Sequence, residues 1–158
     1  LAIGAVSENG KLFIQRTIAQ AMGAGQEYVQ AETARQMAEI EARRTRYRSV
    51  LAKVPLQGRT AILVDDGVAT GATMRASVWA ASAEGAAQTV VAVPVGAPDA
   101  IDMLQHEADE VVCLLVPPYL YAIGQFFLDF QQVDDQEVMN ILRAHSRRRT
   151  TEDAGQRT

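Results

Sequence analysis

AILVDDGVATGAT, residues 61–73, is the stretch on which the fold of this chain turns. Residues 61–64 are a short apolar run of the kind that forms a buried strand in a parallel sheet, and the run stops at two adjacent carboxylates, Asp65 and Asp66. Gly67 permits a sharp exit from the strand. Thr70-Gly71-Ala72-Thr73 then offers two hydroxyls, a glycine and unencumbered backbone N–H groups where a helix should begin. Successive N–H groups in a turn that opens a helix form a concave anion site, aided by the helix dipole, and small side chains let the backbone come close. The carboxylates cannot serve the same anion, because they would repel it at close range. They need hydroxyls or a cation as partners. A ligand with a phosphate at one end and a vicinal diol a few ångströms away satisfies both halves, and a ribose 5-phosphate is such a ligand.

The stretch resembles the phosphoribosyl diphosphate signature of the type I phosphoribosyltransferases: strand apolars, two acidic residues, three variable positions and Thr-Gly-x-Thr, with every fixed position met. The resemblance implies that Asp65 and Asp66 bind the ribose 2- and 3-hydroxyls, and that Ala69, Thr70, Gly71, Ala72 and Thr73 wrap the 5-phosphate. Softer similarity, including the opening LAIGAV and the run YAIGQFFLDF at residues 121–130, extends over most of the chain to bacterial proteins described only as phosphoribosyltransferases. An α/β fold is implied, with a parallel sheet flanked by helices and a small hood near the chain ends. So are Mg²⁺, a phosphoribosyl diphosphate substrate and a nitrogenous base. No residue is assigned as a metal ligand, since the diphosphate and ribose hydroxyls can carry the ion. In the family the opening resembles an internal segment that follows a strand, a pyrophosphate-binding loop and a helix, and those parts have no counterpart in these residues. Enzymes for 6-oxopurines carry an aspartate at the position of Ala69, so the resemblance disfavours those bases and leaves adenine- and uracil-type acceptors open.

Plainer readings compete. An acidic pair followed by a helix capped at Thr70 or Thr73 needs no ligand. A response-regulator receiver also places acidic pairs at strand ends, but it needs a lysine late in the sheet, and Lys11 and Lys53 both precede the motif. At the level of function, two alternatives stand beside the transferase: a non-catalytic regulatory module that binds phosphoribosyl diphosphate or a nucleotide, and a structural fragment whose aromatic surface contacts another chain.

The 158 residues, 48% apolar and 22% charged, suit one domain with a sizeable core. A net charge of −4 gives no footprint for nucleic acid. The single cysteine, Cys113, lies in an apolar run and reads as a small core residue. With no run approaching a membrane span and no signal peptide, a cytoplasmic protein without membrane contact is expected.

Along the chain, Glu8-Asn9-Gly10 predicts a hairpin turn between residues 3–6 and 12–14. A short helix over 15–22 should stop at Gly23, and a long one over about 26–51 shows an apolar stripe through Val29, Met37, Ile40, Tyr47 and Leu51. Together they make a helical or flap insertion over about 15–58. Arg43, Arg44, Arg46 and Arg48 read as a solvated helix end; the family resemblance also places them in a flap that closes over the diphosphate. After the motif, helix 74–84, strand 89–95, helix 99–107 and strand 110–116 alternate as in a parallel sheet. His106, at a helix end, reads as a dipole partner.

Residues 119–130 gather Tyr119, Tyr121, Phe126, Phe127 and Phe130, by default a core or a subunit interface of a homo-oligomer. In the family's architecture this region belongs to the hood over the base, and Tyr119 and Tyr121 are the loop-like residues suited to stack a ring. Asp134 and Glu137 have capping-box spacing ahead of a last helix. The domain is expected to span residues 1–145, with a disordered tail over 146–158.

Overall fold

The computed structural model describes residues 4–6, 10, 12–14 and 16–155. Strands β1 (Gly4–Val6) and β2 (Leu12–Ile14) pair antiparallel, with Gly4 opposite Ile14 and Val6 opposite Leu12. The tip of the expected turn, Glu8-Asn9, lies outside the described residues; Gly10 takes a positive φ of 79°. Helix α1 (Arg16–Ala21) ends ahead of Gly23, and α2 (Gln26–Arg48) runs unbroken through Arg44. Its stripe residues Val29, Met37, Ile40 and Tyr47 are half-buried.

The centre of the molecule is a three-stranded parallel sheet, order β3 (Thr60–Val64), β4 (Gln88–Val95), β5 (Glu110–Leu115). Helices α3 (Ala72–Ala83) and α4 (Pro98–Gln105) make the two crossovers. Strands added in one direction by connections of one hand place both helices on the same face. There Val91, Val93, Met74, Val78, Ile101 and Leu104 close the core, with Leu63, Val111 and Cys113 packed against it. Cys113 is thus the core-facing residue its neighbours suggest. Pro98 opens α4, where its missing N–H costs nothing, and Gly85 ends α3's turn at φ 82°.

Two polar fastenings hold the layers. Asp109, just before β5, accepts hydrogen bonds from the Thr89 N–H (2.7 Å) and hydroxyl (2.9 Å), which holds its carboxyl below the usual aspartate range. Arg75 of α3 pairs with Glu107 beyond α4, its guanidinium 4.6 Å from the Trp79 ring centroid.

After β5 the chain passes through a 3-10 turn (Ile123–Phe126) to α5 (Asp135–Gly155). Asp134 Oδ1 accepts from the Glu137 N–H at 2.8 Å, the N-terminal half of the expected box. The helix continues past Ser146 to Gly155. Among the described residues no helix is long and apolar enough to cross a membrane.

Candidate functional site

Strand β3 ends at Val64 because the next two residues are carboxylates, and both are exposed at the carboxyl end of the sheet. Asp65 Oδ1 accepts the Asp66 N–H at 2.9 Å. Partial burial raises the Asp65 carboxyl above its ordinary value; the Asp66 N–H opposes that shift and the Asp66 charge adds to it. One carboxylate is therefore harder to charge than an isolated aspartate, and hydrogen-bond donors brought to it by a ligand would offset that cost.

The turn after the pair is held by backbone bonds to the sheet. Val68 N–H donates to the Val95 carbonyl at 2.9 Å, and Ala97 N–H donates to the Val68 carbonyl at 2.8 Å. Gly67 is buried, and a Cβ there would lie 2.8 Å from Ile123 Cγ2 and 3.0 Å from the Val95 carbonyl oxygen. The segment after β5 thus closes over the turn at Ile123. Neither the Val68 fastening nor Ile123 was among the residues picked from the sequence, where nothing links positions 67 and 123.

Gly71 is the N-cap of α3 at φ 77° and ψ −6°, and no side-chain hydrogen bond caps the helix there. The plainer reading puts the cap at Thr70 or Thr73; the N-cap position is Gly71, Thr70 Oγ1 accepts the Ala72 N–H at 3.5 Å, and Thr73 is exposed within the first turn. The opening turn of α3 places the Thr70 and Thr73 hydroxyls beside its first N–H groups, one of which, that of Ala72, reaches Thr70 Oγ1, and Ala69 is exposed before it. Asp65 and Asp66, the Val68 turn and residues 69–73 follow one another along the chain at this end of the sheet, a ledge in which Asp65, Asp66, Ala69 and Thr73 are exposed and Gly71 and Ala72 are buried. A cavity of about 790 Å³ lies between the β1–β2 hairpin and α2, lined by Val6, Leu12, Tyr28, Gln36 and Ile40 among others, and Thr73 belongs to its wall.

Tyr119 and Tyr121 stand on the same segment as Ile123 and are 73% and 87% exposed, and no contact in the structure joins either to Asp65, Asp66 or residues 69–73 among the described residues. The arginines of α2 have acidic neighbours. Arg44 pairs with Glu41 at 2.5 Å, and Arg43 with Glu39 at 3.0 Å. Asp135 at the start of α5 takes the Tyr47 hydroxyl at 2.5 Å, pairs with Arg46 and lies 3.7 Å from Arg43 Nε. Those contacts hold Asp135 below the usual carboxylate range, the Tyr47 bond foremost. His106 Nδ1 donates to the Asp102 carbonyl at 2.7 Å, away from the ledge. Among the described residues no group of three or more His, Cys, Asp or Glu side chains converges on a metal position.

No family model matches the chain. Two Mycobacterium tuberculosis proteins, from strains CDC 1551 / Oshkosh and ATCC 25618 / H37Rv and each named "Putative phosphoribosyl transferase", are 39% identical to it over 146 residues. The match takes in 92% of this chain and 33% of theirs, so the chain spans about a third of their length. The crystal structure of TT1426 from Thermus thermophilus superposes with a TM-score of 0.71 at 43% identity, covering 91% of this chain and 68% of that one.

Proposed function

We propose, from the likeness to relatives named as phosphoribosyl transferases, that the chain is a member of that family whose ledge binds phosphoribosyl diphosphate and transfers ribose 5-phosphate to a nitrogenous base. One observation carries the reading: the paired carboxylates at the end of β3 and the amino end of α3, opened by Gly71 at positive φ, are joined by a turn fastened to β4. The first half suits a vicinal diol and the second a phosphate.

In the reaction the C1–O bond to the diphosphate breaks, pyrophosphate leaves with the electron pair, and a ring nitrogen of the base forms the new bond to C1. The ribose becomes positively charged as the leaving group departs. Asp65 and Asp66 would hold its hydroxyls and stabilise that charge, while Thr70, Gly71, Ala72 and Thr73 fix the 5-phosphate. Mg²⁺ would be carried by the substrate, held by its diphosphate and ribose oxygens, and would offset the charge of the departing pyrophosphate. The proton lost by the base must go elsewhere than residue 69, since Ala69 offers no acceptor. Hypoxanthine and guanine are accordingly expected to be poorer acceptors than adenine or uracil. Tyr119 and Tyr121, exposed on the segment whose Ile123 covers Gly67, would supply rings for the base. A cytoplasmic setting, where such substrates occur, is part of the proposal.

Calorimetry with phosphoribosyl diphosphate and Mg²⁺ on the parent, Asp65→Asn and Thr70→Ala chains tests the site, with a pyrophosphate-release assay beside it. Binding that weakens in both variants, together with release in the parent, supports the transferase. Binding without release from any base would favour the regulatory module, and equal heats in all three chains would remove the site altogether.

A further inference from the structure

The joint between the acidic pair and the start of α3 is a glycine, Gly67, which rotates more freely than any residue with a side chain. Asp66 is therefore free to swing relative to residues 69–73 unless the joint is fixed by its surroundings. Downstream the backbone is fastened twice, by the Val68 N–H on the Val95 carbonyl at 2.9 Å and by the Ala97 N–H on the Val68 carbonyl at 2.8 Å. Upstream the β3–β4 ladder ends with Val64 opposite Ala92, and the Asp66 N–H turns to Asp65 Oδ1 instead of to the sheet. Two side chains press on the joint itself: a Cβ on Gly67 would stand 2.8 Å from Ile123 Cγ2 and 2.9 Å from Val95 Cγ1, so both methyl groups lie against the glycine backbone. Ile123 is held in turn. It opens the 3-10 turn, in which the Phe127 N–H donates to the Gly124 carbonyl at 3.2 Å. Gly124 is covered as closely as Gly67, since a Cβ there would stand 2.8 Å from Phe130 Cδ1, and the Phe130 ring lies 5.1 Å from that of Phe127, centroid to centroid. The segment thus folds onto its own aromatic residues and carries Ile123 on a braced backbone.

We propose that Ile123 is a positioning residue: by clamping Gly67 it fixes where Asp65 and Asp66 stand relative to the start of α3. The inference rests on the reading of that pair as the holder of the ribose diol. The feature that matters at residue 123 is its β-branch, because the contact is made by Cγ2, a methyl group that valine keeps and alanine lacks. Hydrogen bonds to a carboxylate weaken steeply as distance and angle drift, so a loosened pair loses its hold on the diol. The phosphate half is spared, since the Val68 fastenings and the left-handed Gly71 do not involve Ile123.

Calorimetry with ribose 5-phosphate and with 2-deoxyribose 5-phosphate reads the diol contact apart from the phosphate contact. The parent should prefer the ribose compound by about tenfold or more, the worth of a hydrogen bond to a charged group. Ile123→Ala should cut that preference by about threefold or more while affinity for the deoxy compound holds, and Ile123→Val should keep the preference of the parent. Leu128→Ala, at a fully exposed side chain on the same segment, should match the parent. A merely structural role for Ile123 would lower the melting temperature and weaken both ligands alike, or neither, and either result overturns the proposal. An Ile123→Val chain that discriminates no better than Ile123→Ala does the same, as does a Leu128→Ala chain that loses the preference. A parent that binds the two sugars equally, or binds neither, overturns the reading of Asp65 and Asp66 themselves, and the role of Ile123 falls with it.

Discussion

Gly71→Ala isolates the backbone conformation on which the phosphate ledge depends. At φ 77° an L-residue brings its Cβ against the following carbonyl, which costs roughly 1–2 kcal/mol. Alanine also stiffens the unfolded chain, returning about 0.4–1 kcal/mol. The new methyl would lie 2.4 Å from Met103 Cε, an impossible contact as drawn, but Met103 Cε is the free end of a flexible side chain. Moving it off its rotamer costs about 0.5–1.5 kcal/mol. The sum is a destabilisation of roughly 1–2 kcal/mol, or a fall in Tm of about 2–8 °C at this chain length. Urea denaturation of Gly71→Ala, Met103→Ala and the double variant apportions it. The coupling energy should account for the Met103 contact and stay below about 1.5 kcal/mol, leaving the φ cost in both backgrounds. Affinity for ribose 5-phosphate should fall as well, because the turn must open to accommodate the methyl. If Gly71→Ala melts with the parent, the left-handed turn is not what positions the start of α3, and the argument for a preformed ledge fails with it.

The remaining expectations concern the core, the titrating groups and the α2–α5 contact. Leu104 is fully buried, so Leu104→Ala should cost about 2–5 kcal/mol in a denaturant titration. The Asp109 carboxyl is depressed by its bonds to Thr89, so its contribution is complete above the ordinary aspartate range and is lost as pH falls through the lower folded value; Thr89→Val should flatten the acid limb of a stability–pH curve. Asp65 is shifted the other way, mainly by burial, so affinity for ribose 5-phosphate should climb with pH until that raised value is passed, and Asp65→Asn should remove the climb in calorimetry. Asp135→Ala should separate the ends of α2 and α5 with only a small loss of stability, since the pairs are exposed; hydrogen exchange at residues 43–48 should quicken, and added salt should reduce the difference between the two chains.

What could be read from the sequence was local. Residues 61–73 announce a strand, an acidic stop and a turn into a helix because apolar runs, charge and glycine act over a few positions, and β3, Gly71 and α3 stand where that chemistry puts them. The helices and strands that follow were legible for the same reason, as was the Asp134 cap. The sequence could not tell that the N-cap position of α3 is Gly71, because the cap depends on the φ that Gly71 adopts. Partners far apart in the chain were beyond it too: Ile123 over Gly67, Asp135 beneath Tyr47 and Arg46, and Asp109 on Thr89. Each pair meets only after the crossovers have stacked the strands, and no periodicity in the chain encodes a meeting between such distant positions. The two faces of β3 belong here as well. Residues 62 and 64 look as buried as 61 and 63 in an unbroken apolar run, and only the placement of α3 and α4 on one side decides which of them those helices cover.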